Sequence, residues 1–246
     1  MDRLLKTAYL NVKNVLSTKE LLLGIIAAFG YSMLWVLVVH PPKYDLEGYS
    51  FEFERFLFVI MLYGAVCLLR DDIRFNTSKT VFTGIFNRIE IMLSKFISLL
   101  MLALAFFVVA EINNILASIL LYSKIGITGF LAYSHIQMFI TYVVTTLTMG
   151  SIMILIVSIS FNESKSILFY ILFLAMINFY TSGITMLVYR NPELKDKLWG
   201  YMITPFYNVS ALNQGMYTIR AVLINLIWAL VFFLITTVVI NRREIK

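Results

Sequence analysis

The chain has 246 residues, of which 60% are hydrophobic and 14% charged, and its mean hydropathy of +0.85 excludes an ordinary water-soluble domain. Its 20 Lys and Arg against 14 Asp and Glu give a net charge of +6, but these charges fall in short loops and at the ends. They speak for membrane topology and anionic lipid headgroups, and against a nucleic-acid surface. Runs of apolar residues near the roughly twenty that cross a hydrocarbon core make residues 1–246 a single transmembrane domain with no room for a separate soluble one. The single cysteine, Cys67, lies inside an apolar run, so neither an intramolecular disulfide nor a cysteine-based metal site is expected.

Residues 1–20 carry Leu4, Leu5, Ala8, Tyr9, Val12 and Leu16 at helical spacing opposite Arg3, Lys6 and Lys13. This pattern predicts an amphipathic helix along the membrane surface, either a plain anchor or an element of gating or partner contact. No small-x-small cleavage pattern follows in Val38, Val39, His40, Pro41 and Pro42, so no removed signal peptide is expected.

The first span covers 21–39 and stops at Pro41 and Pro42, since proline cannot continue the hydrogen-bonded helix. An acidic loop with Asp45, Glu47, Glu52 and Glu54 leads to a second run at 56–69, which is 14 residues long (69 − 56 + 1) and short for a crossing. Phe51 and Phe53 lengthen it if Arg55 reaches out to the headgroups. Further spans are predicted near 96–122, 136–159, 167–188 and 221–240. The fold class is therefore all-α, a polytopic membrane protein with six transmembrane helices.

Six crossings put both ends on one side. The two ends and the loops on their side hold thirteen of the twenty Lys and Arg, so the positive-inside rule makes both termini cytoplasmic in a multi-pass plasma-membrane protein.

The connection 70–95 is the most informative loop. Val81, Phe82, Ile85, Phe86, Ile89 and Leu93 fall on one helical face, while Lys79, Thr83, Asn87, Arg88 and Glu90 fall elsewhere. A short cytoplasmic helix with that face either serves as a handle for a cytosolic partner or lies on the lipid. The stretch Asp71, Asp72, Ile73, Arg74, Phe75, Asn76, Thr77, followed by Arg88-Ile89-Glu90-Ile91-Met92-Leu93-Ser94-Lys95, resembles the same loop of ABC-2 type transporter permeases. That family has an acidic start and a Thr before an Arg-x-x-Ile-x-x-Gly-Lys run; here the frequent proline before the Arg is absent and Ser94 replaces the Gly. The likeness extends to the helix order along nearly the whole chain.

The resemblance implies a coupling helix between spans 2 and 3 that contacts a cytosolic ABC ATPase subunit through Arg74, Thr77, Lys79, Phe82, Phe86, Arg88 and Glu90. It implies that ATP and Mg sit on that partner, and that two permeases, as a homodimer or a heterodimer with a sibling, frame a pathway. The Ile, Lys, Asn and Tyr-rich composition is similar to Firmicute exporters, among them staphylococcal exporters of amphipathic phenol-soluble modulin peptides. An amphipathic peptide or lipophilic substrate is the expected cargo.

Within the third run, Glu111, Asn113 and Asn114 are candidates for the pathway, because a carboxylate inside a span is expensive unless it meets water, a partner or a cavity. At about 1.5 Å per residue Glu111 lies past the midplane, toward the outer leaflet. A protonated, hydrogen-bonded acid within the bundle and an interfacial residue stand beside that reading. His40 and His135 fall at outer edges without convergent carboxylates, which argues against a metal. Trp199, Tyr201, Phe206, Tyr207 and Tyr217 surround Thr204-Pro205, the mix expected of a helix-break-helix at headgroup depth.

No Gly-x-x-x-x-Gly-Lys-Ser/Thr loop is present, so ATP-driven work needs another polypeptide, and no protease or esterase motif appears. The expected function is the membrane subunit of an ATP-driven exporter. The alternatives are an ion-coupled carrier using Glu111 and a membrane protein of immunity or sensing that transports nothing.

Overall fold

In lipid, backbone N–H and C=O groups find no water, and helices close those bonds within one segment. The computed structural model describes residues 2–74, 87–177 and 182–243, and every regular element among them is helical. In chain order these are α1 (Asp2–Leu16), α2 (Lys19–Leu34, running on as a π turn at Trp35–Val39), α3 (Leu46–Arg74), α4 (Arg88–Leu120) and α5 (Gly126–Ala132). They continue as α6 (His135–Ser160), α7 (Glu163–Met176), α8 (Ser182–Arg190), the single turns α9 (Leu194–Lys197) and α10 (Trp199–Met202), α11 (Pro205–Asn213) and α12 (Ile219–Arg242).

Four helices are long and apolar enough to cross a membrane: Lys19–Val39, Arg88–Leu120, His135–Ser160 and Ile219–Arg242. They match four of the six expected spans. The second expected span lies inside the 29-residue α3, where Glu54, Arg55 and Arg70 flank the apolar stretch and keep it shorter than the other four. The fifth expected span, 167–188, falls on two helices, α7 and α8, with 178–181 outside the described residues.

The helix boundaries have local causes. His40 adopts a left-handed φ of 44° and Pro41 follows, which ends α2. Asn87 is extended, its side chain accepts from the Ile89 N–H, and Glu90 reaches back to the Asn87 N–H at 3.1 Å. This capping box starts α4 at Arg88. The amphipathic helix expected across 81–93 therefore does not run through: Ile89 and Leu93 belong to the first turns of α4. Thr77, Lys79, Phe82 and Phe86 lie outside the described residues. At the other conspicuous break, Thr204 caps α11 by accepting from the Tyr207 N–H and Pro205 takes the first helical position, as the sequence predicts.

The core centres on α6, which packs against α3, α4 and α12. Phe53, Leu57 and Leu62 of α3 meet Leu99, Leu102 and Phe106 of α4 and Met149, Met153 and Val157 of α6. Gly150 permits the close crossing of α4 and α6, since a Cβ there would lie 2.6 Å from Leu99 Cδ2. By contrast α2 and α12 keep apolar faces outward. Ile219, Leu223, Ile227, Leu230, Leu234 and Val238 make a helical stripe of exposed side chains, the surface a hydrocarbon solvent wants.

Helix α1 is docked on this bundle. It buries Ala8, Val12 and Val15, and the Ser98 hydroxyl of α4 donates to the Ala8 carbonyl at 3.3 Å. Because α1, the start of α4 and the end of α12 converge, both termini lie on one face.

Candidate functional site

The face opposite the termini opens into a cavity of about 940 Å³. One wall is the start of α3, with Leu46, Glu47, Phe51 and Glu54; a second is the corner from α4 to α6, with Lys124, Ile125 and Tyr133. The third is the end of α11 and its following turn, with Leu212, Asn213, Gln214, Gly215 and Tyr217. Met138 and Thr141, one and two turns into α6, are buried lining residues. Gly215 has a φ of 75°, and a Cβ on it would lie 2.6 Å from Glu47 Oε1, so the glycine is what lets the third wall close on the first.

The carboxylates of this vestibule differ in their engagement. Asp45 accepts from the Gly48 N–H at 3.0 Å and so opens α3. Glu54 precedes the apolar stretch of α3, is half-buried, and has no ion pair or hydrogen bond among the described residues. Across the cavity the Tyr133 hydroxyl donates to Ser50 Oγ at 3.4 Å. Burial, then the charges of Glu54, Glu47 and Glu111, raise that phenol well above its ordinary range. Lys124 is occupied, with Nζ donating to the Pro41 carbonyl at 2.6 Å and lying 5.5 Å from the Tyr49 ring centre.

Beneath the floor runs a seam of buried polar groups. Met138 Sδ accepts from Asn114 Nδ2 at 3.4 Å and from Ser50 Oγ at 4.0 Å, so it stands between the cavity and Asn114. Asn113 is fully buried, and neither of its side-chain polar atoms has a partner among the described residues. On α6, Thr141, Thr145 and Thr148 share one helical face. Thr145 donates to Asn213 Oδ1 at 3.1 Å and Thr148 to the Asn225 carbonyl at 3.0 Å, so the seam continues between α6 and α12. Unpaired polar atoms buried among helices are uncommon and call for an explanation by use.

The three pathway candidates separate here. Asn114 lies directly under the floor, Asn113 is sealed beside it, and Glu111 is turned to the corner. Glu111 Oε1 lies 2.8 Å from His135 Nδ1, and His135 Nε2 lies 2.9 Å from the Phe130 carbonyl. Sequence spacing left His135 without a carboxylate; the fold supplies one from 24 residues away. Glu47, Glu54, Met138, Thr141 and Asn213 carried no sequence signal for this site, since three stretches far apart in the chain build it.

No known protein family matches the chain, and no curated protein does. Among the described residues no three His, Cys, Asp or Glu converge to hold a metal ion.

At the face that bears the termini, the expected partner-contact residues Arg74, Arg88 and Glu90 all have partners within the chain. Arg74 Nε lies 3.3 Å from Glu163 Oε1 of α7. Arg88 Nη1 donates to the carbonyls of Ile240, Asn241 and Arg243 at 2.9, 3.0 and 2.8 Å, capping α12. Glu90 completes the cap of α4. Nearby, the buried Lys95 Nζ lies 2.7 Å from Asp72 Oδ2 and 3.3 Å from Asn11 Oδ1, which ties α4 to α3 and α1.

Proposed function

We propose that the chain is the membrane-spanning subunit of an ATP-driven exporter of the ABC-2 kind. It pairs with a second copy or a sibling permease, and cytosolic ATPase subunits that hold ATP and Mg drive it. Its cargo is an amphipathic or lipophilic molecule such as a peptide. In this reading α3 and the α7–α8 stretch cross the membrane together with the four long apolar helices. Both termini then face the cytoplasm, and the vestibule is the outer mouth.

One observation carries the reading. The two residues that bracket the 75–86 connection, where the resemblance to ABC-2 permeases lies, are fastened to different helices: Arg74 to Glu163 on α7, Arg88 to the end of α12. Arg243 then hands on to α6, donating to the Ser158 carbonyl at 2.6 Å. A push delivered by an ATPase at this connection reaches α7, α12 and α6 at once, and α6 carries the polar seam up to the vestibule floor. Rigid helices moving together convert a small displacement at one face into a change of opening at the other.

Purification from the native membrane tests this. The reading predicts that a phosphate-loop ATPase copurifies with the chain, and that charge reversal at Lys79 lowers ATP turnover of the complex. Isolation of the chain with no ATPase, or turnover indifferent to the reversal with assembly intact, contradicts it.

A further inference from the structure

We propose that the vestibule is a binding site for an amphipathic cation, an ammonium or guanidinium group on an apolar body, held by the carboxylates of Glu54 and Glu47. Its volume of about 940 Å³ lies at the upper end of the range for small-ligand pockets. Leu46, Phe51, Ile125 and Leu212 supply apolar wall, so the body of the ligand has somewhere to go.

The charge of the ligand follows from which groups are already engaged. Lys124 is held by the Pro41 carbonyl and Asp45 by the Gly48 N–H, while Lys43, the other cation of the lining, is exposed and stands against three carboxylates, Asp45, Glu47 and Glu54. What remains is rich in acceptors. Glu54 has no partner among the described residues, and Gln214 Oε1 is buried and unpaired while its Nε2 donates to Ser210 Oγ at 3.0 Å. Thr141, only 6% exposed, lines the cavity with no partner among the described residues.

An acceptor-rich pocket is completed by a ligand that brings donors and positive charge, and an ammonium brings three N–H groups and no acceptor. The rings of Tyr133 and Tyr217 lie in the same walls, and aromatic faces attract a cation; the Phe51 ring already has the Arg55 guanidinium 5.8 Å from its centre. A hard metal ion would want six or more oxygens, and among the described residues no such cluster exists. An anion would meet two carboxylates.

The site deepens the export reading by giving the cargo a charge, yet binding here needs no ATPase. The two therefore fail separately. Trp35 reports on the site, because its ring stacks on that of Tyr44, a wall residue, at 5.8 Å.

The test uses the full chain in nanodiscs of zwitterionic lipid, with n-octylammonium as probe and n-octanol and octanoate as controls. The proposal predicts saturable quenching of tryptophan fluorescence by octylammonium, with Kd raised about tenfold or more in Glu54→Gln and raised in Glu47→Gln, the size of a lost charge-assisted contact. Octanol and octanoate should not saturate. Glu47 is exposed in the first turn of α3, so its variant tests the proposal even where Glu54→Gln fails to fold. Equal Kd in wild type and both folded variants, or octanol binding as well as octylammonium, overturns it.

Discussion

The Arg88 guanidinium at the start of α4 donates to the Arg243 carbonyl at 2.8 Å, and the Arg243 guanidinium in turn donates to the Ser158 carbonyl at the end of α6. It also lies 4.5 Å from the Phe161 ring centre. Two arginines thus fill the carbonyl ends of two long helices, where orphan acceptors and the negative pole of the helix dipole favour a cation. Sequence reasoning assigns Arg88 to a partner; the fold gives it a second and structural task. Arg88→Ala should lower stability by about 2–4 kcal/mol, because three carbonyls lose a charged donor at once. Arg88→Lys should recover only part, since an ammonium lacks the planar fork. Thermal unfolding in detergent decides, and an Arg88→Ala midpoint equal to wild type contradicts the capping role.

The Lys95 and Asp72 pair behaves differently because it is buried. Removing the carboxylate, as in Asp72→Asn, should cost about 3–5 kcal/mol, because the Lys95 ammonium, 3% exposed, keeps only the neutral Asn11 amide. Adding Lys95→Met to Asp72→Asn should restore much of that loss. A double variant whose loss equals the sum of the two single losses would show that the pair is not coupled.

Glu111 and His135 form a second coupled pair, at the opposite face. His135→Ala leaves a carboxyl that is 17% exposed without its donor and should destabilise by about 2–4 kcal/mol. In Glu111→Gln the same histidine change should cost at least about 1 kcal/mol less. A double-mutant cycle with no interaction energy would refute the contact.

Helix punctuation was legible in the sequence, and tertiary pairing was not. Pro41 and Pro42 marked the end of α2, and Thr204-Pro205 marked the start of α11, because proline acts through its own ring and missing N–H. The start of α4 was also written locally, as Asn87 with Glu90 three residues on, but the apolar face through 81–93 suggested a continuous helix and masked the cap. Asn87 prevails because its side chain satisfies backbone donors that a continuing helix would use differently.

The second and fifth runs were the hardest to read. Charges crowd the flanks of the second, and the fifth is divided between two helices, so hydropathy alone overstates both as uniform spans. Asn114, which bonds Met138 beneath the floor, was singled out beside Glu111, whose charge is costly inside a span. Glu54, Met138 and Thr141 were not, since an acidic loop residue, a core methionine and a threonine become a vestibule only when α3, α6 and α11 are brought together.

Inverted vesicles from the native membrane, loaded with ATP outside and a fluorescent amphipathic cationic peptide, test the export claim most directly. The account predicts uptake that requires ATP, survives collapse of the proton gradient, and is absent from vesicles that lack this chain. Uptake driven by a proton gradient without ATP and abolished by Glu111→Gln, or no difference between vesicles with and without the chain, would contradict it.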